Sequence, residues 1–190
     1  MARKVRERMI EGTVQLLARH VLQATSFSEV LELTGAPRGS VYHYFPDGKE
    51  QLIASAVALA GARALEYLDR RAGALALEVT EYFLHLWREV LSRSRFGAGC
   101  AVLAVTVASD SPELLRETAA VFRAWRERLA GLLERGGLAP REAARFAATL
   151  VASTEGAVVL SRSEQSMEPF DLVAGQLLEQ VKSVASSRHR

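Results

Sequence analysis

The chain of 190 residues is poor in the residues that build covalent frameworks and metal centres. Its one cysteine, Cys100, excludes an internal disulfide framework and any multi-cysteine zinc site. Its histidines, His20, His43, His85 and His189, form no pair at i, i+3 or i+4, so metal chemistry has no foothold and no cofactor is implied. The net charge of +2 is too small to diagnose a nucleic-acid partner by itself. The longest stretch without a charge, Phe96 to Ser109, falls short of the roughly 20 apolar residues that span a bilayer. The N-terminus alternates charged and apolar residues and has no signal-peptide core. A cytoplasmic protein with no membrane partner is therefore expected. Hydrophobic residues at 49% supply a core large enough to need no staples.

What is present is helical periodicity. Ile10, Val14, Leu17 and Val21 recur on one helix face, widened by Met9, Thr13 and Leu16, behind a short basic arm of Arg3, Lys4, Arg6 and Arg8. Ser26 and Glu29 have the spacing of a capping box. The helix after them is short, Ser28 to Leu33, because Thr34-Gly-Ala36 signals a turn. Pro37 suits a first helical position and predicts a second short helix to Tyr44, stopped by Pro46 and Gly48. Asp47 and Glu50 read as a second capping box, opening a longer helix towards Tyr67. Further amphipathic helices follow: Leu77 to Ser94, one from Asp110 to Gly136, one from Pro140, and one after Pro169. Cys100 to Ala108 is apolar and rich in valine. Periodicity does not separate helix from strand there, and helix is preferred because no strand partner is visible. The fold class is all-α, with about nine helices.

Two short helices joined by a three-residue, glycine-containing turn have the form of a helix-turn-helix. Val41 and Phe45 are four apart and apolar, so they pack inward. Arg38, Gly39, Ser40, Tyr42 and His43 are left for solvent. Arg38 lies near the end that enters the major groove first, where arginine grips a guanine edge. Gly39 removes a side chain where backbones come close. Ser40, Tyr42 and His43 can donate to phosphate oxygens. Lys49, in the first turn of the next helix, and the turn beginning at Ser26 and Ser28 offer anion sites at helix N-termini.

The run Thr34-Gly-Ala-Pro-Arg-Gly-Ser-Val-Tyr-His-Tyr-Phe-Pro-Asp-Gly-Lys-Glu-Gln-Leu52 resembles the helix-turn-helix signature of the TetR family of bacterial transcriptional repressors. The likeness extends back through Ser26 to the basic first helix. One departure is Pro37, where many members have a small polar residue; it removes a hydroxyl but fixes the helix start. The resemblance implies a double-stranded DNA operator read by Ser26, Ser28, Pro37, Arg38, Gly39, Ser40, Tyr42, His43, Tyr44 and Lys49. It implies a three-helix DNA-binding domain, 1–49, and a helical effector-binding and dimerisation domain, 50–190. Phe96-Gly-Ala-Gly-Cys-Ala-Val and Thr154-Glu-Gly-Ala-Val-Val-Leu-Ser-Arg162 look similar to the drug-resistance and efflux repressor subgroup.

That likeness further implies a homodimer through the last two helices. The segment from Pro140 to Ser161, apolar around most of its circumference, supports it independently. It also implies a cavity for a small apolar or aromatic effector, with candidate lining residues Phe83, Trp87, Phe96, Cys100, Leu103, Phe122, Trp125, Ser153 and Glu155. Glu155 is the only charge in its stretch. A buried carboxylate must be compensated, by an arginine or backbone N–H within the protein, the preferred reading, or by a cationic effector. The function expected is a repressor released from a palindromic operator by its effector. The alternative is a helical sensor or adaptor that does not bind DNA. An enzyme built on Cys100 and His85 lacks a third group at a recognisable spacing and is set aside.

Overall fold

The structure, a computed structural model, describes residues 2–20 and 22–186, the side chains of residues 2 and 3 excepted. The expected place of Val21 on the first helix face, the side chain of Arg3 in the basic arm, and His189 lie outside the described residues. Within them the chain is helical: α1 (Ala2–Arg19), a 3-10 turn (Leu22–Ala24), α2 (Phe27–Thr34), α3 (Ser40–Tyr44), α4 (Lys49–Asp69), α5 (Ala76–Ser94), α6 (Ala101–Ala108), α7 (Pro112–Arg135), α8 (Pro140–Glu164) and α9 (Glu168–Ser186). The valine-rich segment after Cys100 is thus a helix, α6, opened by the Leu103 N–H donating to Cys100 Sγ at 3.3 Å.

The chain divides into two compact units, one of residues up to Arg63 with Cys100–Phe122, the other of Ala64–Gly99 with Arg123 onward. In the first unit α1 packs on α2 and α6, and α6 also meets the 3-10 turn. Met9, Leu17, Val30, Val41, Phe45, Leu52, Ala56, Val102 and Val105 are buried there. Each large side chain removed from water contributes about 1.5–3 kcal/mol. Thr13, also buried, satisfies its hydroxyl by donating to the Met9 carbonyl one turn back.

In the second unit α5, α8 and α9 pack on one another. Their shared core includes Val79, Phe83, Trp87, Leu91, Phe146, Leu150, Val158, Phe170 and Leu177, with Trp125, Leu129 and Leu133 from α7 also buried. Arg88 of α5 donates to Asp171 of α9 and lies 5.4 Å from the Phe170 ring centre. Helix α8 is buried along one side only. Val159 and Leu160 are 50% and 51% exposed, and Gly156 has open space beside it. By length and composition α8 could cross a membrane, although half of that apolar window is buried inside the protein. Glu155 interrupts its apolar stretch, so α8 holds no long charge-free run.

Candidate nucleic-acid interface

The site begins with how α2 is held. Ser26 Oγ accepts the Glu29 N–H at 3.2 Å, and Glu29 Oε2 accepts the Ser26 N–H at 2.7 Å, so the expected capping box is complete. Gly35 ends the helix in the left-handed region, φ 62°, where its N–H reaches the Leu31 carbonyl at 2.9 Å. An L side chain is disfavoured in that conformation, which accounts for glycine in the turn.

The second helix is shorter than its sequence pattern suggests. Pro37 to Gly39 form a turn, closed by the Ser40 N–H donating to the Pro37 carbonyl at 2.9 Å, and α3 spans only Ser40–Tyr44. Proline has the φ such a turn needs, but an i to i+3 turn is not yet an α-helix. The Asp47–Glu50 capping box also does not form as expected. Gly48, at φ 85°, takes the position ahead of α4, and the Asp47 N–H is met by Gln51 Oε1 at 3.3 Å. Glu50 instead accepts from Ser111 Oγ at 3.3 Å.

The inward and outward faces of this segment are well separated. Val41 is 2% exposed and Phe45 0%, whereas Arg38, Gly39 and His43 are exposed and Tyr42 is 77% exposed. The Tyr42 ring lies 6.5 Å from Phe27 at the start of α2, and His43 meets the half-buried Tyr44 edge-on at 4.8 Å. Arg6 of α1 lies 5.4 Å from the Phe45 ring centre. Pro37 and Ser28 are exposed and Ser26 is half-buried.

Two residues have internal partners that the sequence did not reveal. The Ser40 hydroxyl donates to the Pro37 carbonyl and lies 3.8 Å from Met9 Sδ, so its proton is not offered to solvent. Lys49 Nζ donates to the Leu22 carbonyl at 3.2 Å. An ammonium has three donors, so this bond fixes Lys49 without exhausting it.

The candidate effector residues are divided. Phe83, Trp87, Phe96, Trp125, Ser153 and Glu155 belong to the second unit, and Cys100, Leu103 and Phe122 to the first. Phe83, Trp87, Trp125 and Glu155 are buried, while Phe96 and Ser153 are half-buried. Buried within the second unit, Trp87 Nε1 and Thr154 Oγ1 have no hydrogen-bond partner among the described residues. Thr154, next to the expected Ser153, is buried on one helical stripe with Leu150 and Val158. Two open clefts lie elsewhere. One of about 480 Å³ is lined by Arg71, Glu78, Glu81, Tyr82 and His85, and one of about 490 Å³ includes Arg6, Ile10, Ser55 and Leu59.

The two glycine-bearing motifs near the chain's middle and end meet in space. Arg162 Nε donates to the Phe96 carbonyl at 3.3 Å, and a Cβ on Gly99 would lie 2.9 Å from Arg162 Nη1. Arg95 and Phe96 both have positive φ, 51° and 61°, so Arg162 binds a strained corner.

Comparison with known proteins agrees with this geometry. Residues 9–56 match the family of bacterial regulatory proteins of the TetR type, and residues 76–176 match the C-terminal domain of LmrA/YxaF-like transcriptional regulators. Over 179 residues the chain is 35% identical to the uncharacterized HTH-type transcriptional regulator Rv0196 of Mycobacterium tuberculosis, covering 90% of this chain and 91% of that one. It is 28% identical to the uncharacterized HTH-type regulator YxaF of Bacillus subtilis, covering 90% and 92%. A TetR transcriptional regulator from Chloroflexus aurantiacus superposes with a TM-score of 0.78 at 26% identity, covering 95% and 96% of the two chains. A TetR regulatory protein from Rhodobacter sphaeroides shares the fold at TM-score 0.82 and 19% identity, covering 91% and 96%. With an N-terminal helix-turn-helix and a helical C-terminal body, the chain belongs to the TetR family of transcriptional regulators.

Proposed function

We propose that the protein is a cytoplasmic repressor that binds a palindromic operator as a homodimer and leaves it when a small molecule binds the helical body. The observation that carries the DNA-reading part is the exposed row Arg38, Gly39, Tyr42 and His43 over the buried anchors Val41 and Phe45. In this reading the DNA contacts come from residues 1–49, which share a compact unit with α6, and the effector and dimer surfaces come from 50–190. Arg38 contacts a base edge, and Gly39 lets the backbone approach a phosphate. Tyr42, His43, Tyr44, Lys49 and the Ser26–Ser28 turn contact the backbone of the duplex. Ser40 and Pro37 shape the turn that presents them.

Dimerisation through α8 and α9 is supported by their outward apolar positions. Val159, Leu160 and Leu172 are 50%, 51% and 69% exposed, and Gly156 and Gly175 leave room for close helix approach. A two-fold dimer matches a two-fold operator, with recognition segments about 34–36 Å apart. The effector is an apolar or aromatic molecule bearing a hydrogen-bond acceptor. Its support is the buried Trp87 indole N–H and Thr154 hydroxyl, neither of which has a hydrogen-bond partner among the described residues. Helix α4 runs unbroken from Lys49 to Asp69 and passes from one compact unit into the other, which makes it a continuous route for the response. The effector acts only by favouring one of two states.

The test is selection of duplexes from a randomised pool, followed by anisotropy titration across salt. An inverted-repeat consensus is expected, with affinity falling steeply as salt rises. Arg38→Ala then relaxes base preference at one position of each half-site. Selection that returns no consensus refutes sequence-specific binding.

A further inference from the structure

Helices α2 and α3 have 8 and 5 residues. Isolated helices shorter than about 12–15 residues are marginal in water, so the orientation of this pair is set by what flanks it. The flank ahead of α2 is the 3-10 turn Leu22–Ala24, and the flank after α3 is the first turn of α4. Lys49 ties these flanks together through its 3.2 Å bond to the Leu22 carbonyl. Each flank is also tied separately to the corner between α6 and α7. Gln23 Nε2 donates to the Ala108 carbonyl at 3.0 Å, and Ser111 Oγ donates to Glu50 Oε2 at 3.3 Å. All of these residues belong to one compact unit.

Each bond satisfies a group at the end of an element. The Ala108 carbonyl is in the last turn of α6, where it has no partner within its own helix. Ser111 Oγ also accepts the Leu114 N–H at 3.4 Å, so the hydroxyl that starts α7 donates across to α4. The three ties form a closed polar frame, from the 3-10 turn to α4, to the α6–α7 corner, and back. Gln23 and Glu50 are exposed side chains, so the frame holds an orientation while contributing little to the core.

We propose that Gln23 and the Glu50–Ser111 pair are positioning residues for DNA binding: with Lys49 closing the frame, they hold the α2–α3 pair at the angle an operator half-site requires, without touching DNA. The inference rests on the DNA-reading proposal above and names the residues that set the aim of its reading head.

The test uses the full-length protein and a duplex selected by the wild type from a randomised pool, alongside a scrambled duplex and versions with the half-site spacing changed by one base pair. The variants are Gln23→Met, which keeps length and removes the donor, Glu50→Ala, which removes the acceptor, and the two combined. Glu50→Gln keeps an acceptor oxygen and is the rescue variant. The combined variant is expected to bind the selected duplex roughly 10- to 100-fold more weakly per half-site, at roughly 3- to 10-fold for each of the two lost bonds. Discrimination against altered spacing weakens with it. Its affinity for scrambled DNA is unchanged or raised, because Glu50→Ala removes a negative charge. The salt slope and thermal midpoint stay near wild type, and Glu50→Gln behaves as wild type.

Wild-type affinity and spacing preference in the combined variant overturn the proposal. Parallel loss on selected and scrambled DNA with an unchanged midpoint shows direct contact with the DNA backbone and overturns it as well. Parallel loss on selected and scrambled DNA, with a lowered midpoint, shows a fold defect and refutes the positioning role. If the wild type itself selects no preferred duplex, the DNA-reading proposal fails first, which is a separate and recognisable result.

Discussion

Replacing Gly39 with alanine separates what the fold needs from what DNA binding needs. Gly39 has φ −67° and ψ −17°, ordinary right-handed values. A Cβ built there meets nothing within 4 Å. Nothing in the protein therefore requires glycine. At a conformation alanine also favours, the substitution reduces the freedom of the unfolded chain and stabilises by about 0.4–1 kcal/mol. For a chain of this size that is an upward shift of about 1–4 °C in the thermal midpoint. Alanine is a poor N-cap, but the helical dihedrals of Gly39 are not those of a true N-cap, so little of that cost applies. DNA binding is expected to move the opposite way. If the methyl holds the backbone off one phosphate, each protomer loses a charge-assisted bond, about 1.5–3 kcal/mol. That loss corresponds to about tenfold to a hundredfold in affinity for each half-site. Calorimetry and anisotropy on the same preparation check both halves. An unaltered operator affinity would falsify the close-approach role of Gly39. A lowered midpoint would show that the glycine serves the fold.

Phe45→Ala empties a site that is 0% exposed and costs about 3–5 kcal/mol, read as a lower denaturant midpoint. Val159→Glu with Leu172→Arg puts charge on the outward faces of α8 and α9; sedimentation should give monomers that still fold, and a persistent dimer would exclude this surface as the interface. Ser26→Ala removes the α2 cap at a cost of about 1 kcal/mol, measurable by chemical denaturation. The Tyr67 hydroxyl is pushed up to about 12, first by burial and then by its hydrogen bond with Tyr82, whose ring stacks on it at 4.1 Å. Its folded form keeps the proton longer than the unfolded form, so this contribution is complete below pH 10, the ordinary tyrosine value, and is lost as pH rises through about 12. Phenolate absorbance should show one late-titrating tyrosine, absent in Tyr67→Phe.

Local chemistry made much of the reading head legible. A capping box, a turn glycine and an apolar pair four apart involve residues within one or two turns of each other, so their spacing carries the information. Ser26, Glu29, Gly35, Val41 and Phe45 all occupy the expected places. The start of α3 was not legible, because proline at position 37 suits a 3-10 turn as well as a first helical residue. The docking of Lys49 on Leu22 spans 27 residues, and the bond from Gln23 to Ala108 spans 85. No periodicity reports such pairs. The same holds for Arg162 on Phe96, 66 residues apart, where each partner looked only like part of a family motif. The candidate effector residues were the least legible. An aromatic at helical spacing looks the same whether it fills a core or lines a cavity, and the burial of Trp87 Nε1 and Thr154 Oγ1 without a hydrogen-bond partner among the described residues is a three-dimensional fact that no spacing reports.

Helix α6 follows residue 99 in the chain yet packs on α1, inside the same compact unit as the DNA-reading motif. The consequence concerns anyone building hybrids. A graft that stops at Arg63 leaves behind Ala101, Val102 and Val105, the buried residues that α6 contributes. The donor head would then carry a bare greasy groove on α1 and invite clumping. A working chimera must transplant two separate stretches of chain, so in this protein the part that reads DNA is not a detachable cassette.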